Sequence, residues 1–387
     1  MFVVVLGWVA ADAFGTGAGY LSAFQSAAAL TATLFLSHRT DGLNPLGVMA
    51  ATLFVRAAAL AVVAGAWLAV GSPPAWALAL CLAVLAAGVS VFRPAMQASL
   101  PALSPSVALL PAVNALLDTT DRIARLLGPG LVSLASTWVA LVHFVTLDTL
   151  CFLAAGFALL TVRRIRPIPV TPAPARRPLE ALVRGARVVL AHAELGFLLR
   201  WWGIVNGAWY AAFFVGLPLM IQAVHPGPAG IADFGLVLSC YGGANLLATL
   251  VIGNRKLPRR PGVLIFSGNL CLGAGIFGLG LAGLAAPPSW QVAGFCAAAG
   301  VAAIGGPMQD ITMATMRQTD LPRADLPGAV RAFMATNALG TLITLLAAPT
   351  LFDRLGVPQS ILLGGLLYGA VGVAGVWRFR RAVRADG

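Results

Sequence analysis

The sequence predicts an all-α polytopic membrane protein, and three observations carry that prediction. Of 387 residues, 59% are hydrophobic and only 10% are charged, with a mean hydropathy of +0.89. Ordinary soluble domains carry about 25% charged residues, so a soluble chain could not hide this much apolar surface. Apolar runs of about 20 residues, the length a helix needs to cross a bilayer, recur along the whole chain. They are too uniformly apolar for the strands of a membrane barrel, whose residues alternate between two faces. The basic residues, finally, fall in short connections between these runs.

In chain order, an apolar stub covers 1–14, and eleven full spans follow near 18–36, 46–70, 75–95, 109–134, 138–162, 195–221, 231–253, 262–285, 289–312, 328–350 and 357–379. One set of connections is basic: His38-Arg39, Arg93, Arg163 to Arg187, Arg255-Lys256 with Arg259-Arg260, Arg317 to Arg331, and the tail from Arg378 to Arg384. The other set is small and turn-rich: Gly15 to Gly19, Gly71 to Pro74, Ala135 to Val139, His225 to Gly230, Ala286 to Ser289, and Asp353 to Ser360. Arg354 is the one basic Arg or Lys of that second set. A net charge of +12 is also a nucleic-acid signature, but its placement in alternate loops follows the positive-inside rule. The expectation is a multi-pass protein of the inner (plasma) membrane, basic loops and C-terminus cytoplasmic, with lipid and not nucleic acid as its surroundings. The opening Met1–Ala11 lacks the basic region of a signal peptide.

The longest polar segment, 163–194, carries Pro167, Pro169, Pro172 and Pro174 between arginines, then an amphipathic stretch around Leu179–Leu190. It reads as a cytoplasmic linker with a surface helix. It divides the chain into an N-terminal bundle, 1–162, and a C-terminal bundle, 195–387. The halves repeat: residues 30–39 match residues 246–255 at five of ten positions, at an offset of 216, and Gly19 meets Gly235 and Pro45 meets Pro261 at the same offset. Parallel repeats about an axis along the membrane normal are a known transporter plan. The same offset puts the counterpart of span 195–221 largely before Met1, so most of the first helix is expected to be missing.

Several segments resemble the major facilitator superfamily, and within it the efflux branch that exports drugs, macrolides and enterobactin. They are Val91-Phe92-Arg93-Pro94-Ala95-Met96-Gln97-Ala98-Ser99-Leu100-Pro101, Ala112-Val113-Asn114-Ala115-Leu116, Gly128-Pro129-Gly130, Asp148-Thr149-Leu150-Cys151-Phe152, and Asp325-Leu326-Pro327-Gly328-Ala329-Val330-Arg331. The resemblance implies the major facilitator fold, two pseudo-symmetric helical bundles, here with about 11 full spans plus the stub. It also implies that the first, fourth, seventh and tenth helices line a cavity. The loop Ser37-His38-Arg39-Thr40-Asp41-Gly42 departs from the family's latch pattern, with Arg and Asp reordered.

A charge at membrane depth costs at least about 2.5–3.5 kcal/mol, so each needs a reason. Asp118 with Arg122, and Asp121 with Arg125, stand four apart on one helix, the acid on the favourable N-terminal side. Both pairs fit an ion-pair gate at the cytoplasmic end; Asp118 and Asp121 are also proton-coupling candidates, as are Asp148 and Asp310. Gly128, Pro129 and Gly130 offer a hinge, close helix packing, or both. Arg56 reads as structural, with an arm that can snorkel toward the cytoplasm. Asn206, Trp209 and Tyr210 on the seventh helix, with Gln25 and Gln309, are candidates for a substrate cavity, which combines apolar walls with few polar groups; for Asn206 and Gln25 a hydrogen bond between helices is the alternative. Tyr241, Asn245, Asn269 and Asn337 read as helix-to-helix glue. Cys81, Cys151, Cys240, Cys271 and Cys296 read as small hydrophobes.

No nucleotide-binding loop, metal-ligand spacing or nucleophile–base arrangement is evident. The expectation is a non-enzyme without cofactor or metal. The leading reading is a secondary transporter, a proton-coupled exporter or antiporter of an amphipathic small molecule. A non-transporting scaffold or sensor, and a lipid or lysophospholipid transporter, remain alternatives.

Overall fold

The computed structural model describes residues 2–40, 43–103, 110–168, 178–255, 258–322 and 325–381. Every regular element among them is helical. Helix α1 (Phe2–Phe14) leads through a 3-10 turn at Gly15–Gly17 into α2 (Ala18–Thr31), which ends in a π-helical stretch, Ala32–Leu36. Then come α3 (Pro45–Val70), α4 (Ala75–Leu103), α5 (Leu110–Ala135) and α6 (Leu141–Ile165). A shorter helix, α7 (Pro178–Ala191), precedes α8 (Ala193–Tyr210), which runs through a π-helical segment, Ala211–Gly216, into α9 (Leu217–Val224). The chain closes with α10 (Pro228–Gly253), α11 (Pro261–Ala285), α12 (Pro288–Asp320), α13 (Leu326–Leu355) and α14 (Val357–Phe379).

All eleven expected spans fall on helices. Among the described residues ten stretches are long and apolar enough to cross a membrane, counting Val3–Leu36 as one. Helix α5 is not among them, because its first half carries Asp118, Asp121, Arg122 and Arg125. The boundaries follow local chemistry. Asn44 caps α3, its side chain accepting from the Gly47 amide at 3.1 Å, with Pro45 pre-set for the first turn. Gly71 ends the same helix in the left-handed region, φ 83°, which favours glycine. The four positive-φ glycines of the described residues, Gly15, Gly71, Gly227 and Gly356, all sit in the turn-rich connections and none in the basic ones.

The helix pairings repeat. Helices α2–α4, α3–α4 and α3–α6 pack together in the first bundle; α10–α12, α11–α12 and α11–α14 repeat the pattern in the second. The two most extensive contacts between the bundles are the crossings of α2 with α13 and of α5 with α10, and α1 also packs on α9 and α10. Inside the second bundle glycines let backbones touch, as membrane interfaces require: Gly203 of α8 lies against Gly340 of α13, and Gly268 of α11 against Gly305 of α12. Helix α7 docks on the start of α13, with Gly185 against Gly328 and Arg184 Nε 2.6 Å from Asp325 Oδ1.

Two expectations need adjustment. The stub is a packed 13-residue helix: Val5 and Leu6 are fully buried, the Trp8 ring lies 6.2 Å from Phe234, and Gln222 Nε2 donates to the Trp8 carbonyl at 3.3 Å. At 1.5 Å per residue it is about 20 Å long, against about 30 Å of hydrocarbon. Arg56 does not snorkel. It is buried at 8% exposure, its guanidinium 4.4 Å from the centroid of the Phe152 ring and its stem lying across Gly88. Its Nε has no hydrogen-bond partner. Gly88 leaves a slot on α4, and the ring on α6 holds the cation there, so the arm stays inside the bundle.

Candidate functional site

The α5–α10 crossing assembles most of the polar residues that join the bundles. Near one end Ser133 Oγ donates to the Ala232 carbonyl at 2.7 Å. Further along, Ser239 Oγ donates to the Leu126 carbonyl at 3.3 Å. Between them Gly235 faces Pro129: a Cβ added at Gly235 would stand 2.7 Å from the Pro129 carbonyl oxygen, and one at Gly130 would stand 3.3 Å from Ser239 Oγ. Helix α5 runs as one 26-residue helix through Pro129. The Gly128-Pro129-Gly130 segment therefore carries close packing, one of its two expected roles.

Deeper in the crossing, Arg122 Nη1 donates to Asn245 Oδ1 at 2.5 Å, from one bundle to the other. Asn245 is 7% exposed, and its Nδ2 donates to the Ala303 carbonyl of α12 at 2.9 Å. Pro307, four residues on, has no N–H, so the Ala303 carbonyl has lost its helical donor. One side chain thus links α5, α10 and α12. Sequence reading placed Asn245 among helix glue; nothing local to residue 245 signals that a proline 62 positions later frees the carbonyl it needs.

An aromatic cluster stands beside this bridge. The Trp209 ring centroid lies 5.2 Å from Tyr210, 5.5 Å from Phe213, 5.4 Å from Phe214 and 6.0 Å from Tyr241. Trp209 Nε1 is buried without a hydrogen-bond partner. Tyr241 also borders the bridge, its hydroxyl 3.8 Å from where a Gly306 Cβ would stand.

The other candidates scatter. Asn206 turns back on its own helix, Nδ2 donating to the Trp202 carbonyl at 2.8 Å. Gln309 is 3% exposed and donates to Asn269 Oδ1, joining α12 to α11. Asp310, the next residue on α12, is exposed, and its charge acts on Arg317 of the same helix. Asp121 is exposed on α5, Asp148 half-buried on α6 and Gln25 half-buried on α2. The side chains of Asp118 and Arg125 lie outside the described residues, as do Asp41-Gly42 of the departing latch loop. Among the described residues no group of three His, Cys, Asp or Glu could hold a metal. The five cysteines are unbridged.

No protein-family model matches the chain, and no curated protein does. Solved structures do. One is the crystal structure of a POT family transporter in complex with a thioalcohol-conjugated peptide: 13% identity, TM-score 0.59, covering 96% of this chain and 94% of that one. Another is a POT family transporter in complex with 5-aminolevulinic acid: 12% identity, TM-score 0.58, covering 98% and 96%. The chain has the fold of these transporters. That fold is of the major facilitator type, two helical bundles over nearly the whole length of both chains. At this identity the likeness carries the architecture, and the efflux-branch motifs keep the standing of a resemblance.

Proposed function

We propose that this protein is a secondary transporter that moves a small molecule across the plasma membrane by alternating access, its basic loops and C-terminus in the cytoplasm. The observation that carries the reading is the Arg122–Asn245 bond, a polar bridge between the two bundles beside an aromatic cluster. Rocking of the bundles about these crossings would break and remake this bond in each cycle. The aromatic walls of Trp209, Tyr210 and Tyr241 suit an amphipathic molecule, since binding pockets combine apolar walls with few placed polar groups. Solved neighbours that bind a peptide conjugate and a small amino acid support a small-molecule substrate.

The finer reading is export coupled to protons, with Asp121, Asp148 or Asp310 as the group that binds and releases the proton. A carboxylate at membrane depth is costly, and proton relay is a recurring reason for one. Residues 1–162 and 195–387 act as the two rocking bodies, and 163–194 tethers them at the cytoplasmic face.

The test uses purified protein in liposomes with an imposed pH gradient and a pH-sensitive dye inside. Amphipathic compounds that raise the melting temperature in detergent are offered as substrates, because a ligand that binds only the folded state stabilises it. The expected result is substrate-dependent proton movement that at least one of Asp121→Asn, Asp148→Asn and Asp310→Asn abolishes. Normal coupling in all three variants overturns the proton reading, and no movement of any stabilising compound overturns the transporter reading.

A further inference from the structure

We infer that Asn245 is a positioning residue that ties separation of the two bundles to the proline break in α12. The inference rests on the rocking motion proposed above and adds the part of the molecule that senses it.

Asn245 has two jobs that share one rigid amide. Its Oδ1 receives Arg122 Nη1 across the crossing at 2.5 Å. Its Nδ2 serves the Ala303 carbonyl at 2.9 Å. That carbonyl is an orphan of the α12 ladder, because residue 307 is proline and donates nothing. Gly306 makes the approach possible: a Cβ there would stand 3.1 Å from Asn245 Nδ2. The amide is planar, so its oxygen and nitrogen cannot move independently. It is also buried, so water does not replace a lost partner.

The consequence is a mechanical link. When α5 parts from α10, Arg122 leaves Oδ1. The amide turns to find a new donor, Nδ2 leaves Ala303, and the carbonyl at the break loses its second donor as it had lost its first. Helix α12 then loosens around Gly305-Gly306-Pro307, next to Asp310. Opening of the crossing reaches α12 through one side chain.

A double-mutant cycle tests this without any substrate. Asn245→Ala leaves the Ala303 carbonyl bare. Pro307→Ala restores a backbone N–H that closes the ladder to Ala303 and makes the amide unnecessary. Asn245→Ala alone is expected to lower the melting temperature in detergent by roughly 1–3 °C, because the large unfolding entropy of a 387-residue chain dilutes the loss of one buried group. The same change in a Pro307→Ala background is expected to cost much less. Strictly additive effects overturn the link to the proline break, because a mere packing loss at residue 245 would be the same in both backgrounds.

Hydrogen–deuterium exchange read by mass spectrometry tests the other arm. Arg122→Met is expected to speed exchange in α12 peptides covering 305–311, but not when Pro307→Ala is also present. Unchanged α12 exchange in Arg122→Met means that Asn245 serves α12 alone, and the inference fails. Both readouts stand whether or not a transported molecule is found, so their failure is distinct from failure of the transporter reading.

Discussion

Gly235 of α10 lies against Pro129 of α5, and this contact has a counterpart on the other side of the molecule. A Cβ at Gly235 would stand 2.7 Å from the Pro129 carbonyl oxygen; a Cβ at Gly19 of α2 would stand 2.8 Å from Cγ of Pro349 in α13. Gly19 and Gly235 are 216 positions apart, the offset of the sequence repeat. Both prolines stand inside helices. Each crossing between the bundles therefore seats a glycine of one bundle on an intrahelical proline of the other, which brings the two backbones close without side chains between them.

Gly235→Val and Gly19→Val should each push a crossing apart. Overpacking of this kind costs about 1–3 kcal/mol, and here it also holds the bundles off their contact. Melting in detergent and transport in liposomes should both fall. Gly65→Ala is the control, since a Cβ there meets nothing within 4 Å. It should hold or raise stability, because alanine favours a helix by about 1 kcal/mol over glycine.

Arg56→Met should be neutral or stabilising. The cation lies over Phe152 with its Nε unpaired, and a buried charge is expensive in the membrane. Methionine keeps the length and volume of the stem. Replacing buried charged groups by apolar ones of similar size is often neutral or gains about 1–4 kcal/mol. A drop in melting temperature would show that the guanidinium has a partner which matters.

Trp209→Phe and Trp209→Ala should separate. Trp209 Nε1 has no partner, so phenylalanine loses little hydrogen bonding. Alanine removes the ring that four others surround and should cost about 3–5 kcal/mol. Urea or thermal melts of the two variants measure the difference. Equal losses would mean that Nε1, and not the ring, holds the cluster.

Gln309→Leu should destabilise by about 1–3 kcal/mol, because it strands the fully buried Asn269 amide. The double change Gln309→Leu with Asn269→Leu should recover much of that loss, since removing both partners leaves nothing unsatisfied. An additive double variant would refute the pairing as the source of the effect.

Much of the architecture was legible because membrane helices are written in local composition. The helices under the expected spans, the helix around Leu179–Leu190 and the glycines at the turns all follow from hydropathy and backbone preference within a short window. Arg56 reads as structural, but where its arm lies is not local information. Snorkelling is what an arginine does on a lone helix, and only the neighbours Gly88 and Phe152 decide otherwise. Gln309 and Asn206 stand out in the sequence by polarity alone; in the structure Gln309 donates to Asn269 and Asn206 donates to the Trp202 carbonyl of its own helix.

Apolar run length, loop charge and an internal match at offset 216 mark a helical membrane protein of two repeated halves, because none of them needs a partner to be seen. Which polar residues meet depends on the packed helices. Asn245 reaches Arg122, 123 positions before it, and Ala303, 58 positions after it, because three helices converge there and a proline leaves a carbonyl bare. Hydrogen-bond satisfaction in a medium without water is a property of neighbours, and neighbours across a bundle are not written in any one stretch of chain.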